Sequence, residues 1–334
     1  MNNPLVSIII PTYNRAHYIG ETLESVIMQT YQNWECIVID DGSSDYTDEL
    51  MEFYCEKDAK IQYRHRPNHK PKGANACRNY GIEFSNGDYL IFLDSDDLLH
   101  TVSIETRVDI AIANFTKNFL IFKMTVFHKF PGDTNRIVNR YIEEGNSDSY
   151  LLMFLRHEIP WQITSLFIKK ESLGIRFDEG LKRLQDVEFS SRLLLMNKTE
   201  NFLVINNIAQ DCFYRNEERH SNYSISFLKV IVNSLARYYQ NLAPILEKIK
   251  DEKTYNLYRG SLIKTFYHFY KNYFLLSNCI NWKELKELKQ ILLQEKFITR
   301  TDQMKFQLLE IIYFFGLHKI KGIGVYRLTK NWLE

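Results

Sequence analysis

The sequence predicts an α/β fold with a mostly parallel, Rossmann-like sheet, followed by a helical C-terminal extension. Two observations support this prediction. Short apolar runs alternate with helical patterns over the first hundred residues, and long helical, aromatic patterns replace them after Tyr223. Strands separated by helices are joined by right-handed crossovers, which cover both faces of a parallel sheet. The 334 residues are 45% apolar and 25% charged, the composition of a globular protein rather than of a disordered or fibrous one.

Short apolar runs predict the first strands, and the helices between them have apolar residues three and four positions apart. Leu5–Ile10 is a β-branched run ending at Pro11, which is typical of a buried parallel strand. Thr47 or Asp45 is able to cap the second helix. We expect strands at Leu5–Ile10, Glu35–Ile39, Ile61–Arg64 and Tyr89–Leu93, and helices at His17–Gln29, Asp45–Cys55 and Gly73–Phe84.

Beyond residue 100 the pattern is mixed and then becomes helical. It is rich in β-forming residues from about Phe115 to Arg140. We therefore expect a first domain over residues 1–224, with halves 1–100 and 101–224, and a helical, basic, aromatic-rich region over 225–334. Further elements are expected as strands at Ile163–Ile168, Phe202–Ile205 and Ile208–Phe213, and as helices at Leu184–Met196 and near 225–248, 252–276, 282–294 and 302–316.

Charge is divided unevenly along the chain. Residues 225–334 contain 18 Lys or Arg against 9 Asp or Glu, a net +9, so residues 1–224 carry 24 against 32, a net −8. The two parts therefore suggest two different tasks. The apolar segment Phe306–Phe315, followed by Lys319, Lys321, Arg327 and Lys330, predicts either a helix lying on an anionic leaflet or one packed against the protein or a partner subunit.

Cysteine usage and hydropathy predict a cytoplasmic protein. The five cysteines are scattered and form no C-x-x-C pair, which disfavours a disulfide framework or a zinc site. The N-terminus has no signal-peptide pattern, and no apolar run is long enough to span a bilayer. Contact with the inner face of the plasma membrane through the C-terminal region is compatible with this prediction.

Three polar clusters follow predicted strands: Pro11–Asn14, Asp40–Ser44 and Asp94–Asp97. In open sheets of this type, ligands bind beyond the carboxyl ends of the strands. The clusters are distant in sequence, but the topology gathers them at one edge of the sheet. That convergence is the main physical reason to expect a site there.

The Asp94–Asp97 cluster reads Asp-Ser-Asp-Asp and follows an apolar strand. Adjacent carboxylates disfavour one another's ionisation unless a cation neutralises them. Ligands that offer only oxygen suit Mg²⁺ or Mn²⁺, which keep waters and accept phosphate oxygens as further ligands. The alternative is a solvated turn in which Asp97 caps the next helix.

The Asp40–Ser44 cluster reads Asp-Asp-Gly-Ser-Ser. A carboxylate here is able to accept a hydrogen bond from a base N–H, and Gly42 permits a tight turn. The alternative is an Asx turn leading into a helix. The sequence has no G-x-G-x-x-G after the first strand and no Walker A lysine loop, which disfavours dinucleotide and P-loop sites.

Together these segments resemble the inverting family-2 glycosyltransferases of the GT-A fold, of the bacterial surface-polysaccharide type. The resemblance is dense over residues 4–100, looser over 155–225 and essentially absent beyond. Four spaced motifs in the right order make a chance match improbable. The matching stretches are Val6–Arg15 (VSIIIPTYNR), Val38–Asp45 (VIDDGSSD), Gly73 with Cys77–Ile82 (CRNYGI), and Gly87–Asp97 (GDYLIFLDSDD).

The resemblance implies that residues 1–100 form the nucleotide-binding half and residues 101–224 the acceptor half. Pro11, Thr12 and Tyr13 would line the nucleobase pocket. Asp41 would accept from the uracil or other base, with Asp40 close by.

The resemblance also implies a metal site. Asp94 and Asp96 match the family's D-x-D pair: Asp96 would hold Mn²⁺ or Mg²⁺, and Asp94, beside Ser95, would contact the ribose or the metal shell. Arg78 would approach the diphosphate or brace the site, unless it forms an ordinary ion pair. His220 lies in a segment similar to a family loop that closes over the diphosphate, and is a candidate metal or phosphate contact. A lone loop histidine is, however, more often only solvated.

The family's catalytic base belongs to an acidic pair that opens a helix. Here that position reads Gln185-Asp186, so Asp186 fits the base and Gln185 replaces the usual Glu. The alternative is an ordinary first-turn Asp favoured by the helix dipole. Trp161, just before the acceptor-side strand, would stack on a sugar or pack in the core.

The resemblance implies an enzyme that transfers a sugar, with inversion, from a nucleotide-diphospho-sugar, UDP-sugars being favoured, to an acceptor hydroxyl. The implied acceptor is a glycan or a lipid-linked molecule of bacterial polysaccharide biosynthesis. A homo-oligomer is compatible with the sequence. Three alternatives remain. The first is a catalytically inactive protein that binds a sugar nucleotide or a glycan, and the second is a nucleotidyltransferase, which would require a Gly-rich basic loop after the first strand. The third is nucleic-acid binding by the tail, for which no known module is present.

Overall fold

A seven-stranded mixed sheet organises the first part of the chain in the structure, a computed structural model that describes residues 3–208, 211–216, 224–275 and 283–317. A second sheet has three strands. The strands are β1 (Val6–Thr12), β2 (Trp34–Asp40), β3 (Ile61–His65), β4 (Tyr89–Phe92), β5 (Leu98–Leu99), β6 (Phe119–Ile121), β7 (Met124–Phe127), β8 (Leu166–Lys169), β9 (Phe202–Val204) and β10 (Cys212–Arg215).

The large sheet has the order β3-β2-β1-β4-β8-β6-β9, and its first four strands are parallel, as predicted. Every residue of β1 and β2 is buried, because helices cover both faces of the sheet. Thr12 lies directly opposite Asp40, and Leu93 donates its amide to Ile9 at 3.0 Å. The register therefore brings the residues after β1, β2 and β4 to the same edge.

The helices follow the predicted spacing closely. In chain order they are α1 (Ala16–Ile27), α2 (Thr47–Lys57), α3 (Ala74–Phe84), α4 (Ser103–Ala113), α5 (Ser147–Leu155), α6 (Gln185–Met196), α7 (Ile225–Leu246), α8 (Glu252–Phe269), α9 (Lys283–Gln294) and α10 (Arg300–Phe314), with a π-helical turn at Tyr270–Leu275. The N-cap of α2 is Tyr46, so neither predicted cap, Asp45 or Thr47, occupies that position. Asp45 instead accepts hydrogen bonds from Thr47 and from the amide of Ala16, which joins α2 to α1.

Three features of the middle of the chain differ from the prediction. The α4 and α5 helices were not predicted. The segment predicted as a strand from Ile163 begins with a 3₁₀ turn, and β8 runs antiparallel to β4 and to β6. The last predicted strand is displaced toward the C-terminus: β10 begins at Cys212, directly after Asp211, which forms a buried ion pair with Arg107.

As far as the chain is described, its residues fall into two compact units. The first comprises 1–151, 159–180 and 189–220, and the second comprises 152–158, 181–188 and 221–334. Residues 181–188, which the prediction placed in the first domain, group with the helical unit. None of the described helices combines the length and the apolar character needed to cross a bilayer.

Candidate functional site

The ends of β1, β2 and β4 meet at one edge of the large sheet. The Asp41 amide donates to the Thr12 carbonyl at 2.9 Å, which fixes the first two strand ends together. Thr12 is buried, and its Oγ1 has no hydrogen-bond partner among the described residues. Pro11 is buried and Tyr13 is half-exposed. An unsatisfied buried hydroxyl beside an exposed aromatic ring is compatible with the predicted base pocket.

Asp40 builds the loop that follows β2. Its Oδ2 accepts the amides of Gly42 and Ser43 at 2.8 Å, and the Ser43 hydroxyl donates to Oδ1. Gly42 has φ of +92°, a conformation that glycine adopts without a steric penalty. The Asx-turn alternative therefore describes Asp40 correctly: its carboxylate shapes the loop.

Asp41 is bound by the side chain of Arg66, a residue that the sequence analysis missed. The Arg66 Nε donates to Asp41 Oδ1 at 2.5 Å, and both side chains are largely buried. Arg66 also donates to the carbonyls of Pro67 and Lys70, which orders the chain after β3. The second carboxylate oxygen of Asp41 makes no hydrogen bond in the described part of the chain. Arg66 directly follows β3, so the strand-end rule applied to that strand would have found it.

Asp40, Asp48 and His65 lie close enough together to be considered as a metal site among the described residues. The His65 Nδ1 lies 3.4 Å from Asp40, and its Nε2 lies 3.8 Å from Asp48. Both ring nitrogens face carboxylates, and Asp40 already accepts two amides. This arrangement suits a bridging imidazole better than a metal ligand, and we assign it to bracing the Asp40 loop.

The Asp94–Asp97 turn carries three carboxylates with different partners. Arg78 binds Asp94 at 2.6 Å, and Arg15 lies 3.5 Å from Asp96. The Thr22 hydroxyl donates to the carbonyls of Ser95 and Asp97 at 3.1 and 2.9 Å. These contacts fix the turn against α1 and α3.

Asp97 is the buried member of the cluster. Its carboxylate accepts the Thr164 hydroxyl and the Arg215 amide, each at 3.2 Å. Burial, followed by the charges of Asp94 and Asp96, raises the pKa of Asp97 well above its ordinary value. Asp97 does not cap a helix, because α4 begins only at Ser103. That alternative is therefore wrong.

The donor set fits a divalent cation. The side chain of Asp96 is 18% exposed and that of Asp94 36%, so both present carboxylate oxygens toward solvent. Two carboxylates leave the remaining positions of Mg²⁺ or Mn²⁺ to waters and phosphate oxygens. Arg15 and Arg78 already offset part of the negative charge of the turn. Repulsion among its carboxylates is therefore a weaker reason to expect a bound cation than the sequence suggested. Asp94 binds Arg78 at 2.6 Å, whereas Asp96 lies 3.5 Å from Arg15.

Arg215 clamps the carboxylate turn from β10. Its Nε donates to the Asp96 carbonyl at 3.1 Å and its guanidinium binds Glu21 at 2.5 Å. The same guanidinium lies between the rings of Tyr18 and Phe127, at 4.6 and 4.5 Å. Arg215 belongs to the same segment as His220, which resembles a family loop that closes over the diphosphate. Its side chain is buried beneath the turn.

Three further residues were predicted as functional: Asp186, His220 and Trp161. Asp186 lies in the first turn of α6 and is half-buried, in the part of that helix assigned to the second unit. His220 lies outside the described residues. Trp161 is 1% exposed and packs against Tyr150 at 5.2 Å, so the core-packing interpretation is correct and sugar stacking is wrong.

Comparison with known proteins supports the interpretation of these motifs. The glycosyl transferase family 2 model matches residues 7–163. An uncharacterized glycosyltransferase of Rickettsia bellii is 30% identical over 240 residues, covering 69% of this chain and 32% of the relative. The Escherichia coli UDP-Glc:alpha-D-GlcNAc-diphosphoundecaprenol beta-1,3-glucosyltransferase WfgD is 39% identical over 115 residues, covering 34% of this chain and 44% of WfgD. The chain thus spans less than half the length of these two relatives.

The fold is similar to that of S. aureus TarS in complex with UDP-GlcNAc. The TM-score is 0.63 at 20% identity, with 86% of this chain and 81% of TarS covered. The parallel-rich sheet and the helical C-terminal region have the predicted GT-A architecture. The family model and the motifs at the strand ends identify residues 7–163 as a region of glycosyl transferase family 2.

Proposed function

We propose that the chain transfers a sugar from a UDP-sugar to an acceptor hydroxyl, with a divalent metal and with inversion at the anomeric carbon. One observation carries the proposal: an Asp41 oxygen and the Thr12 hydroxyl, neither of them hydrogen-bonded within the described part of the chain, and the partly exposed Asp96 side chain lie at the ends of adjacent parallel strands. Ligand sites of open α/β sheets lie at such edges. The UDP-dependent relative WfgD and UDP-GlcNAc-bound TarS support the donor class.

Asp41 is suited to recognise a base that presents an N–H. Arg66 fixes one carboxylate oxygen and leaves the other as an acceptor. Uracil carries an imide N–H that such an acceptor binds, whereas cytosine has none at that ring position. Loss of a buried hydrogen-bond partner is costly, so this contact discriminates between bases as well as adding affinity.

The turn after β4 is suited to hold the diphosphate end of the donor. A divalent cation bound there would act as a Lewis acid and offset the charge on the leaving diphosphate. Asp96 would ligate it, while Arg78 orients Asp94, and Arg215 and Thr22 hold the backbone of the turn. Preorganisation of this kind avoids rearrangement at the moment of reaction.

Asp186 is the proposed general base that accepts the proton of the attacking hydroxyl. Leu184, two residues before it, has φ of +61°, a left-handed conformation that is uncommon for a large side chain. Backbone strain of this kind clusters at functional sites. A single displacement assisted by one base inverts the anomeric carbon. We further propose a lipid-linked saccharide as acceptor, by analogy with the diphosphoundecaprenol substrate in the name of WfgD.

Binding of UDP tests the donor half of this proposal. We expect UDP and UDP-sugars to raise the melting temperature of the chain in the presence of Mn²⁺, because a ligand that binds only the folded state stabilises it. CDP should give a smaller shift. A panel of UDP-, GDP- and TDP-sugars, each with Mn²⁺ or with EDTA, provides the measurement. No metal-dependent shift with any donor would contradict the proposal.

Substitution of Arg215 tests the clamp beneath the turn. We expect Arg215→Gln to lower sugar transfer by about tenfold to a hundredfold, because small displacements of a positioned group have effects of that size. The Mn²⁺ concentration required for half-maximal activity should rise as well. Steady-state rates over a Mn²⁺ titration provide the measurement.

The control for Arg215 is Glu21→Gln. This substitution removes the charge of Glu21, which pairs with the Arg215 guanidinium. The Glu21 side chain is 60% exposed, so its loss should change activity little. A fall in activity without any change in the Mn²⁺ requirement would assign Arg215 to stability alone.

A further inference from the structure

The α10 helix carries both buried and exposed apolar residues. Phe306, Leu309 and Ile312 are buried within the second unit. At 3.6 residues per turn, a different side of the helix carries an exposed stripe with spacings of four, three and four residues. We call these residues the outer stripe: Met304, Leu308, Ile311 and Phe315, each between 44% and 68% exposed.

An exposed apolar surface of this kind is unusual for a monomeric protein. The outer stripe is flanked by Phe314, itself 65% exposed, and extends over about three helical turns. Contiguous exposed patches of a few hundred Å² on soluble proteins usually mark an interaction site. Because Phe306 and its buried neighbours fix the other side of the helix, the stripe is held on the surface in a defined orientation.

The sequence around and after the outer stripe carries a net positive charge. Arg300 and Lys305 are exposed on the same helix, where Lys305 lies 3.9 Å from Asp302. The carboxylate of Glu310 points inward, where Lys289 and the Tyr270 hydroxyl bind it. Residues 311–333 contain no Asp or Glu, while Lys319, Lys321, Arg327 and Lys330 follow the stripe in sequence.

We propose that the outer stripe docks this protein on an anionic lipid surface. Apolar side chains of an amphipathic helix enter the boundary between headgroups and acyl chains, and adjacent Lys and Arg residues bind acidic headgroups. The inference is independent of the proposed activity. It also corrects the sequence-based picture, because Phe306 and Leu309 of the predicted lipid-facing segment are buried in the protein.

A second copy of the chain fits the stripe less well. The spacing resembles a coiled-coil seam, but the stripe spans fewer than two heptads, and about three or four are needed for a sustained coiled coil. Two copies would also bring two positively charged segments together.

Co-sedimentation of the full chain with lipid vesicles tests the proposal. We expect binding to vesicles of phosphatidylglycerol mixed with phosphatidylcholine, and little binding to phosphatidylcholine alone or in high salt. The double variant Leu308→Gln/Ile311→Gln should lower the partition coefficient by at least about tenfold, because it removes two apolar side chains from the contact. Both residues are exposed, so the thermal unfolding curve should be unchanged.

The matched control is Met28→Gln/Phe53→Gln. These two apolar residues are 61% and 56% exposed in the first unit, and their replacement should leave vesicle binding unchanged. Equal binding of the outer-stripe variant and the wild type would overturn the proposal, as would equal binding to both lipid mixtures. A dimer in sedimentation velocity that the outer-stripe variant abolishes would instead assign the stripe to a second copy.

Discussion

Asp186→Asn should lower sugar transfer by about 10²–10⁴-fold while leaving the binding of UDP and Mn²⁺ nearly unchanged. A positioned general base contributes a factor of that size, and the amide cannot accept the proton of the attacking hydroxyl. The donor-side residues at the ends of β1, β2 and β4 are not altered by the substitution. Single-turnover transfer and calorimetric titration of UDP, carried out on the same preparation, separate the two effects.

The matched control for Asp186 is Asp178→Asn. Asp178 is an aspartate shortly before Asp186 in the sequence. Its Oδ1 accepts a hydrogen bond from the amide of Gly180 at 2.8 Å in a local turn. We expect this variant to keep most of its activity, and we expect Gln185→Glu to remain active because the family carries Glu there. Asp186 is not the base if Asp186→Asn keeps more than about a tenth of the wild-type rate, or if Asp178→Asn is equally impaired.

Arg107→Met should lower the free energy of unfolding of the first unit by about 3–5 kcal/mol, because it leaves a buried carboxylate without its counter-ion. Arg107 and Asp211 are fully buried and are joined at 2.5 Å. The same guanidinium donates to the carbonyls of Thr164 and Leu166, so it connects α4 to β8 and to the residue before β10. Urea denaturation followed by circular dichroism provides the measurement.

Lys57→Met is the control for Arg107. Its ammonium pairs with Glu24, and both side chains are about one-third exposed. Removal of a pair at that exposure should cost at most about 1 kcal/mol. If Arg107→Met has an equally small effect, the buried pair does not determine the stability of this unit.

The parallel half of the fold was predictable because its signals are local. The β1 and β2 strands are short β-branched runs buried on both faces, and the α1 helix between them repeats its apolar residues at helical spacing. The small sheet was less predictable. The two residues of β5 pair with β10, and β10 pairs with β7 more than 80 residues away. Pairing across such separations leaves no periodic pattern in the sequence that would predict the start of β10 at Cys212.

The candidate site likewise contains some residues that the sequence predicts and others that it does not. Its acidic residues were predictable because they follow recognisable strands, as Asp41 and Asp96 do. Their basic partners were not: Arg66 and Arg215 act through side-chain contacts formed only after distant segments meet. The resemblance of its segment to a family loop does not indicate that Arg215 packs against Tyr18 and Phe127 under the turn. The contacts of a long side chain depend on its neighbours in space, which spacing in the sequence does not specify.

Calorimetric titration of UDP tests the central claim most directly, because the claim is that Asp41 and Asp96 form one metal-dependent donor site. We predict that the wild-type chain binds UDP with Mn²⁺ and at least about tenfold more weakly with EDTA, since a cation held by Asp96 would offset the charge of the diphosphate. Asp96→Asn should remove the Mn²⁺ dependence, and Asp41→Ala should weaken binding with and without Mn²⁺. UDP binding that is unaffected by both substitutions would contradict the assignment of this sheet edge as the donor site.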